Sequence, residues 1–137
     1  MKLFVTDKKP LGYTTVGYWR WTEKNNKGTL EVYVASVKVW RHFMAILGHE
    51  LIEVFYCWLF HVTTEQADAF HQTYEDAYKA GTIHPSVEPG HDPKCPYHWG
   101  HMAGVCWEHF WIFCTFAGWK RYVSECDRIM DSWAKTE

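Results

Sequence analysis

The chain has 137 residues, enough for one domain with a real core, and 47% of them are apolar, which argues against disorder of the whole chain. A formal charge of −2 with His neutral, and the lack of any Lys/Arg run, argue against broad electrostatic binding, so no nucleic acid partner is expected. Aromatic residues make 18% of the chain and charged residues only 22%, so some rings are expected on the surface, where they would favour a homo-oligomer.

In chain order, residues 2–35 alternate as strands do: KLFVT, then VGYWRW, then TLEVYVAS. Asn25-Asn26-Lys27-Gly28 predicts a hairpin between the last two, because Asn and Gly tolerate positive φ. A small antiparallel sheet is expected over residues 1–36. Ser36 offers an N-cap, and residues 37–61 place apolar groups at helical spacing without a Pro, so a long first helix is expected. Its apolar run is broken by His49, Glu50 and Glu53, ionisable groups that are costly in a bilayer, and a core helix is expected in place of a membrane span.

Thr63 and Gln66 read as a capping box that opens a second helix running to about Lys79, where Ala80-Gly81 ends it. Residues 81–96 hold four prolines and form a loop of a length usually tied to function or mobility. A third helix is predicted from Tyr97 to about Ala117, and KRYVSECDRIMDSWA beyond Gly118 makes a fourth. The expected fold is α+β, a single domain over 1–137, with a small N-terminal antiparallel sheet followed by helices over 37–137 and the Pro-rich loop 81–96 between them. The five cysteines show no paired short spacings, which fits reduced thiols and a cytoplasmic location; Cys106 and Cys114 read as small core residues. The N-terminal MKLFVTDKKP is too soon interrupted by charge to read as a signal peptide.

The chemistry concentrates in GHELIEVFY. On a helix, His49 and Glu53 stand one above the other with Cβ atoms roughly 5–6 Å apart, so imidazole and carboxylate can hold one ion. Glu50 points roughly 100° away by the 3.6-residue period and can reach a bound water as general base. That is the geometry of H-E-x-x-H zinc hydrolases with Glu53 in place of the second His. A metal needs further ligands, and His98, His101 and Glu108 share one face of the third helix, so His49, Glu53, His101 and Glu108 are the expected ligand set. His101 and Glu108 lie two turns apart, roughly 10 Å, so one ion takes only one of them or two ions bind. His98 is an additional candidate ligand, and His91-Asp92 in the Pro-rich loop can fold over the site, with Asp92 supporting a ligand. His42, His61, His71, His84 and His109 read as surface or core histidines without a role.

From about Lys38 to Asp127 the chain is similar to small phage and bacterial proteins of no known activity. They carry H-E-L-x-E, an E-P-G-x-D-P-x-x-P-Y-H-x-x-H segment and a helical Glu, matched here by His49 through Glu53, Glu88 through His101, and Glu108. The resemblance implies that helix and loop form one unit, and a bacterial host's cytoplasm. About ten residues also resemble zincin metallopeptidases, departing from them at Glu53. The expected function is therefore divalent metal binding, Zn²⁺ first with Mn²⁺ or Fe as alternatives, in a zincin-like hydrolase with Glu50 as base. The alternative is a non-enzymatic interaction protein whose His/Glu stripes are a polar network or a structural metal site.

Overall fold

The computed structural model describes residues 1–84 and 86–135. Three strands, β1 (Lys2–Thr6), β2 (Gly17–Glu23) and β3 (Lys27–Ala35), precede four helices: α1 (Trp40–Leu59), α2 (Thr64–Lys79), α3 (His98–Cys114) and α4 (Trp119–Ala134). The architecture is α+β, as the sequence pattern implies.

The β2–β3 hairpin forms where the Asn-Gly signal puts it, with Asn25 and Asn26 both at positive φ, as a tight turn that follows strand twist requires. The Asn26 side chain also donates to Val62 O (2.7 Å) and accepts from Thr64 N–H (3.2 Å), tying the turn to the junction of α1 and α2. The sheet is not wholly antiparallel. Its order is β1-β3-β2, and β1 runs parallel to β3. Residues 7–16, with a single 3₁₀ turn at Pro10–Gly12, are too long a connection for a tight hairpin, so β2 lands beyond the place where β3 inserts. Trp19 faces Val32 and Gly17 faces Val34 in the register, and Trp19, Val32 and Val34 form the sheet's share of the core.

The capping box at Thr63 is present: Gln66 N–H donates to Thr63 Oγ1, and Thr63 N–H to the Gln66 side chain. The start of α1 differs from the expectation, for Ser36 does not cap it. Ser36 N–H continues the strand ladder by donating to Thr6 O (2.8 Å), and the helix begins three residues later behind Val39, whose side chain makes no cap. Glu125 on α4 anchors this entry without capping it: it accepts from Lys38 N–H (2.8 Å), ahead of the helix, and pairs with His42 Nδ1 inside it. Helix α1 ends as His61 takes a left-handed φ of 57° and Val62 N–H reaches back to Cys57 O, a turn that satisfies one of the last free carbonyls.

The main helical contact is α1 against α3, running antiparallel: Gly104 lies over His49, Gly100 over Tyr56, and Trp111 Nε1–H donates to Arg41 O. A Cβ at position 104 would stand 2.7 Å from the His49 ring, so only Gly allows α3 this close an approach at that level. The outer face of α3 is apolar but uncovered. Cys106 and Cys114, expected inside, are exposed on it, whereas Cys57, Cys95 and Cys126 are buried, and all five are free thiols. Among the described residues no helix is long and apolar enough to cross a membrane.

Candidate metal centre

Helix α1 presents His49 and Glu53 one turn apart, both buried, toward α3, where His101 is also buried. The side chains meet. His49 Nε2 is 2.9 Å from Glu53 Oε1 and 3.0 Å from His101 Nδ1, and His101 Nδ1 is 2.7 Å from the same carboxylate oxygen. Two nitrogens and one oxygen thus close a triangle in a buried place, an N₂O donor set suited to Zn²⁺. Donors around a tetrahedral Zn²⁺ bonded at about 2.0–2.1 Å stand ~3.3 Å apart, so an opening of a few tenths of an ångström admits the ion.

Glu108 is not the fourth corner of that set. Its Oε1 accepts from the opposite nitrogen of His49, Nδ1, at 2.7 Å. The two-turn spacing explains this: the His49 ring fills the gap between His101 and Glu108, one nitrogen toward each. Glu108 fixes which nitrogen of His49 is free to bind an ion, as a carboxylate behind a metal-ligating histidine commonly does. Trp19 does the same for Glu53, its Nε1–H donating to Oε2 (3.1 Å) and leaving Oε1 for the triangle.

His98 and Asp92 stand outside the triangle. His98 Nδ1–H donates to Gly90 O (2.9 Å), while Asp92 accepts from Tyr74 OH (3.1 Å) and from Lys94 N–H (2.9 Å). Both shape the loop. Two other loop residues come closer, His91, expected to fold over the site, and Glu88, which motif spacing did not single out: Glu88 Oε2 lies 3.1 Å from His101 Nε2, and the His91 ring centroid is 4.7 Å from that of His101. Gly90 lets the loop lie flat against His101, where any Cβ would collide with the ring. The one signal for Glu88 in the sequence is its place in the E-P-G-x-D-P segment; which helix that loop folds back on is a matter of tertiary packing.

Charge in the cluster is organised by these pairs. Burial disfavours a charged His49, but its hydrogen bonds to Glu108 and Glu53 prevail and hold its pKa well above the ordinary value. Burial likewise opposes a charged His101, yet Glu53 and Glu88 push it up to about 9. Burial would also raise Glu53, and the two histidines override it and hold the carboxyl low. Glu50 is the opposite case: burial, helped by the charge of Glu53, pushes it well above the carboxylate range.

Glu50 makes no hydrogen bond among the described residues, because its carboxyl lies against Gly17, where a side chain could have reached it. It lines a cavity of about 50 Å³ together with His49, Glu53, His101 and Tyr97. That volume holds a few waters and no large ligand. His71, expected to have no role, lines the same cavity, and burial pushes its pKa down to about 4, so it is neutral there. Comparison of the chain with protein-family models, with curated proteins and with solved structures finds no match.

Proposed function

We propose that the protein binds a divalent metal ion through His49 Nε2, Glu53 Oε1 and His101 Nδ1, and uses it for hydrolysis of a small substrate. The observation that carries this reading is the buried triangle of two imidazole nitrogens and a carboxylate oxygen 2.7, 2.9 and 3.0 Å apart. Buried ionisable groups are expensive unless paired or bound to metal, and a purely structural core has little reason to gather two histidines and a carboxylate. Zn²⁺ fits the nitrogen donors best, while the carboxylate in place of a second helical His keeps Mn²⁺ and Fe²⁺ in competition.

The ion supplies positive charge that polarises a carbonyl or phosphoryl oxygen and acidifies water. The chain supplies the rest. Glu50 faces the cavity without a hydrogen bond; burial and the charge of Glu53 hold it protonated in the metal-free chain, and the positive charge of a bound ion would favour the ionised form that takes a proton there. Trp19 and Glu108 hold two of the donors in register. Elemental analysis of protein purified without added metal tests the binding claim; a chain free of Zn, Mn and Fe would end it. For the hydrolytic claim, Glu50→Gln is expected to keep the metal and lower turnover on any substrate that is found by at least ~100-fold, the usual contribution of a positioned base. Equal turnover in parent and variant would leave a metal site without this catalytic role.

A second reading rests on a different surface. Trp99, Phe110, Phe113 and Phe116 are exposed on or beside α3, Phe113 at 78% and Phe116 at 91%. Exposed rings gathered on one helix mark contact surfaces, here of an interaction protein that self-associates. Sedimentation of the parent is expected to show an oligomer that Phe113→Glu converts to monomer without loss of bound metal. A monomeric parent would count against self-association.

A further inference from the structure

His101 uses only one of its nitrogens in the triangle. The other, Nε2, is buried, and among the described residues it makes no hydrogen bond. Glu88 Oε2 is 3.1 Å from it but lacks the alignment of a hydrogen bond, and His91 Nδ1 lies 3.7 Å from the same oxygen. Donor atoms of Glu88, His91 and His101 come within 4.8 Å of one another, a second set on the opposite edge of the same imidazole. The loop that carries Glu88 and His91 is built. Its 3₁₀ turn over Pro89–His91 closes with Asp92 N–H donating to Pro89 O (3.0 Å), and it is pinned by His98 through Gly90 O and by Tyr74 through Asp92.

We propose a second divalent-cation site formed by Glu88, His91 and His101 Nε2, with the His101 ring bridging it to the buried ion as an imidazolate whose last N–H proton is released to solvent. Only the bridge rests on the metal centre proposed above; the outer donors stand on their own geometry. The two edges of an imidazole place such ions ~6 Å apart when each bonds at about 2.0–2.1 Å. The sites differ in access. His49, Glu53 and His101 are buried, whereas the Glu88 and His91 side chains are 40% and 51% exposed, so the outer ion exchanges with solvent and the inner one is held. An ion on Glu88 and His91 also fixes the Pro-rich loop over His101.

The competing account is that Glu88 merely pairs with a protonated His101, with no outer ion. Metal stoichiometry separates the two. The full chain, stripped with chelator and dialysed against Zn²⁺, is expected to hold two ions, and the Glu88→Ala/His91→Ala variant one, retained as tightly as the inner ion of the parent. Because both substituted side chains are partly exposed, the variant should fold, which circular dichroism verifies. With Cu²⁺ as probe, the loaded parent should give a spin-coupled paramagnetic resonance signal far weaker than two independent spins, and the double variant a full single-spin signal. One ion in the parent and the same ion in the variant would overturn the outer site while leaving the buried centre standing. Two ions with independent spins would overturn the bridge, and a parent that binds none would remove the buried centre itself.

Discussion

Glu53→Ala should abolish tight metal binding and remove much of the pH dependence of the metal-free protein. Glu53 Oε1 is the single anion shared by His49 Nε2 and His101 Nδ1, and its Oε2 satisfies the buried Trp19 N–H. Without it, the two imidazoles face each other at 3.0 Å with no anion between them, and only Glu108 and Glu88, on their outer nitrogens, still favour a positive charge. Loss of a direct donor should cost more than the ~10–100-fold typical of a group behind a ligand, which is the loss expected for Glu108→Gln.

The pH signature follows from the direction of each shift. His101, raised to about 9, adds stability that is fully present below the ordinary His value of about 6.5 and disappears as pH rises through 9. Glu53, held low, adds stability that is present above the ordinary carboxylate value of about 4.3 and is lost as pH falls. Metal-free protein should therefore be most stable between about pH 5 and 6.5, with up to ~3 kcal/mol of the His101 contribution gone at pH 10. Metal reverses the upper limb, since both histidines must give up protons to bind it, so stabilisation by Zn²⁺ should grow with pH and each mole bound should release protons. Thermal melts in chelator and in Zn²⁺ at pH 6 and 9 test this; a parent whose chelated melts are the same at both pH values would refute the charge assignment. In Glu53→Ala the chelated melts should depend on pH far less.

The second large effect is expected at Gly104, where stability and metal binding should fail together. Ala is the better helix former by about 1 kcal/mol, so on propensity alone Gly104→Ala would stabilise α3. The new Cβ would stand 2.7 Å from the His49 ring, which is anchored on both edges by Glu108, Glu53 and His101 and has nowhere to go. Overpacking of this kind costs about 1–3 kcal/mol, so after the propensity gain the net change should be a loss of up to ~2 kcal/mol, with weakened metal affinity as His49 tilts out of register. The comparison on the same helix is Ala103→Gly, an exposed position, which should lose about 1 kcal/mol of helix propensity and leave metal affinity unchanged. An increase in melting temperature for Gly104→Ala would show that the α1–α3 contact has room for a Cβ beside the His49 ring.

What could be read from the residues was whatever near neighbours determine. The Asn25-Asn26 turn, the Thr63/Gln66 capping box and the one-turn stacking of His49 on Glu53 each depend on a few adjacent backbone angles, and each appears in the fold where local geometry puts it. The α+β class followed from the same local periodicities. Long-range meetings were decided only by packing. Glu125 ties the segment before α1 and His42 to α4 while Ser36 stays in the strand ladder, β1 runs parallel to β3, and Cys106 and Cys114 lie outside because α3 has no covering layer on that side. In the site, spacing along α3 could say that His101 and Glu108 share a face, but not that His49 would sit between them, one nitrogen toward each. Nor could it bring Glu88 to His101, since a Pro-rich loop has no period from which its direction can be inferred. A helix fixes where its own side chains point; which partner they meet is fixed by how closely two helices approach, and here that distance is set by the absence of side chains at Gly48, Gly100 and Gly104.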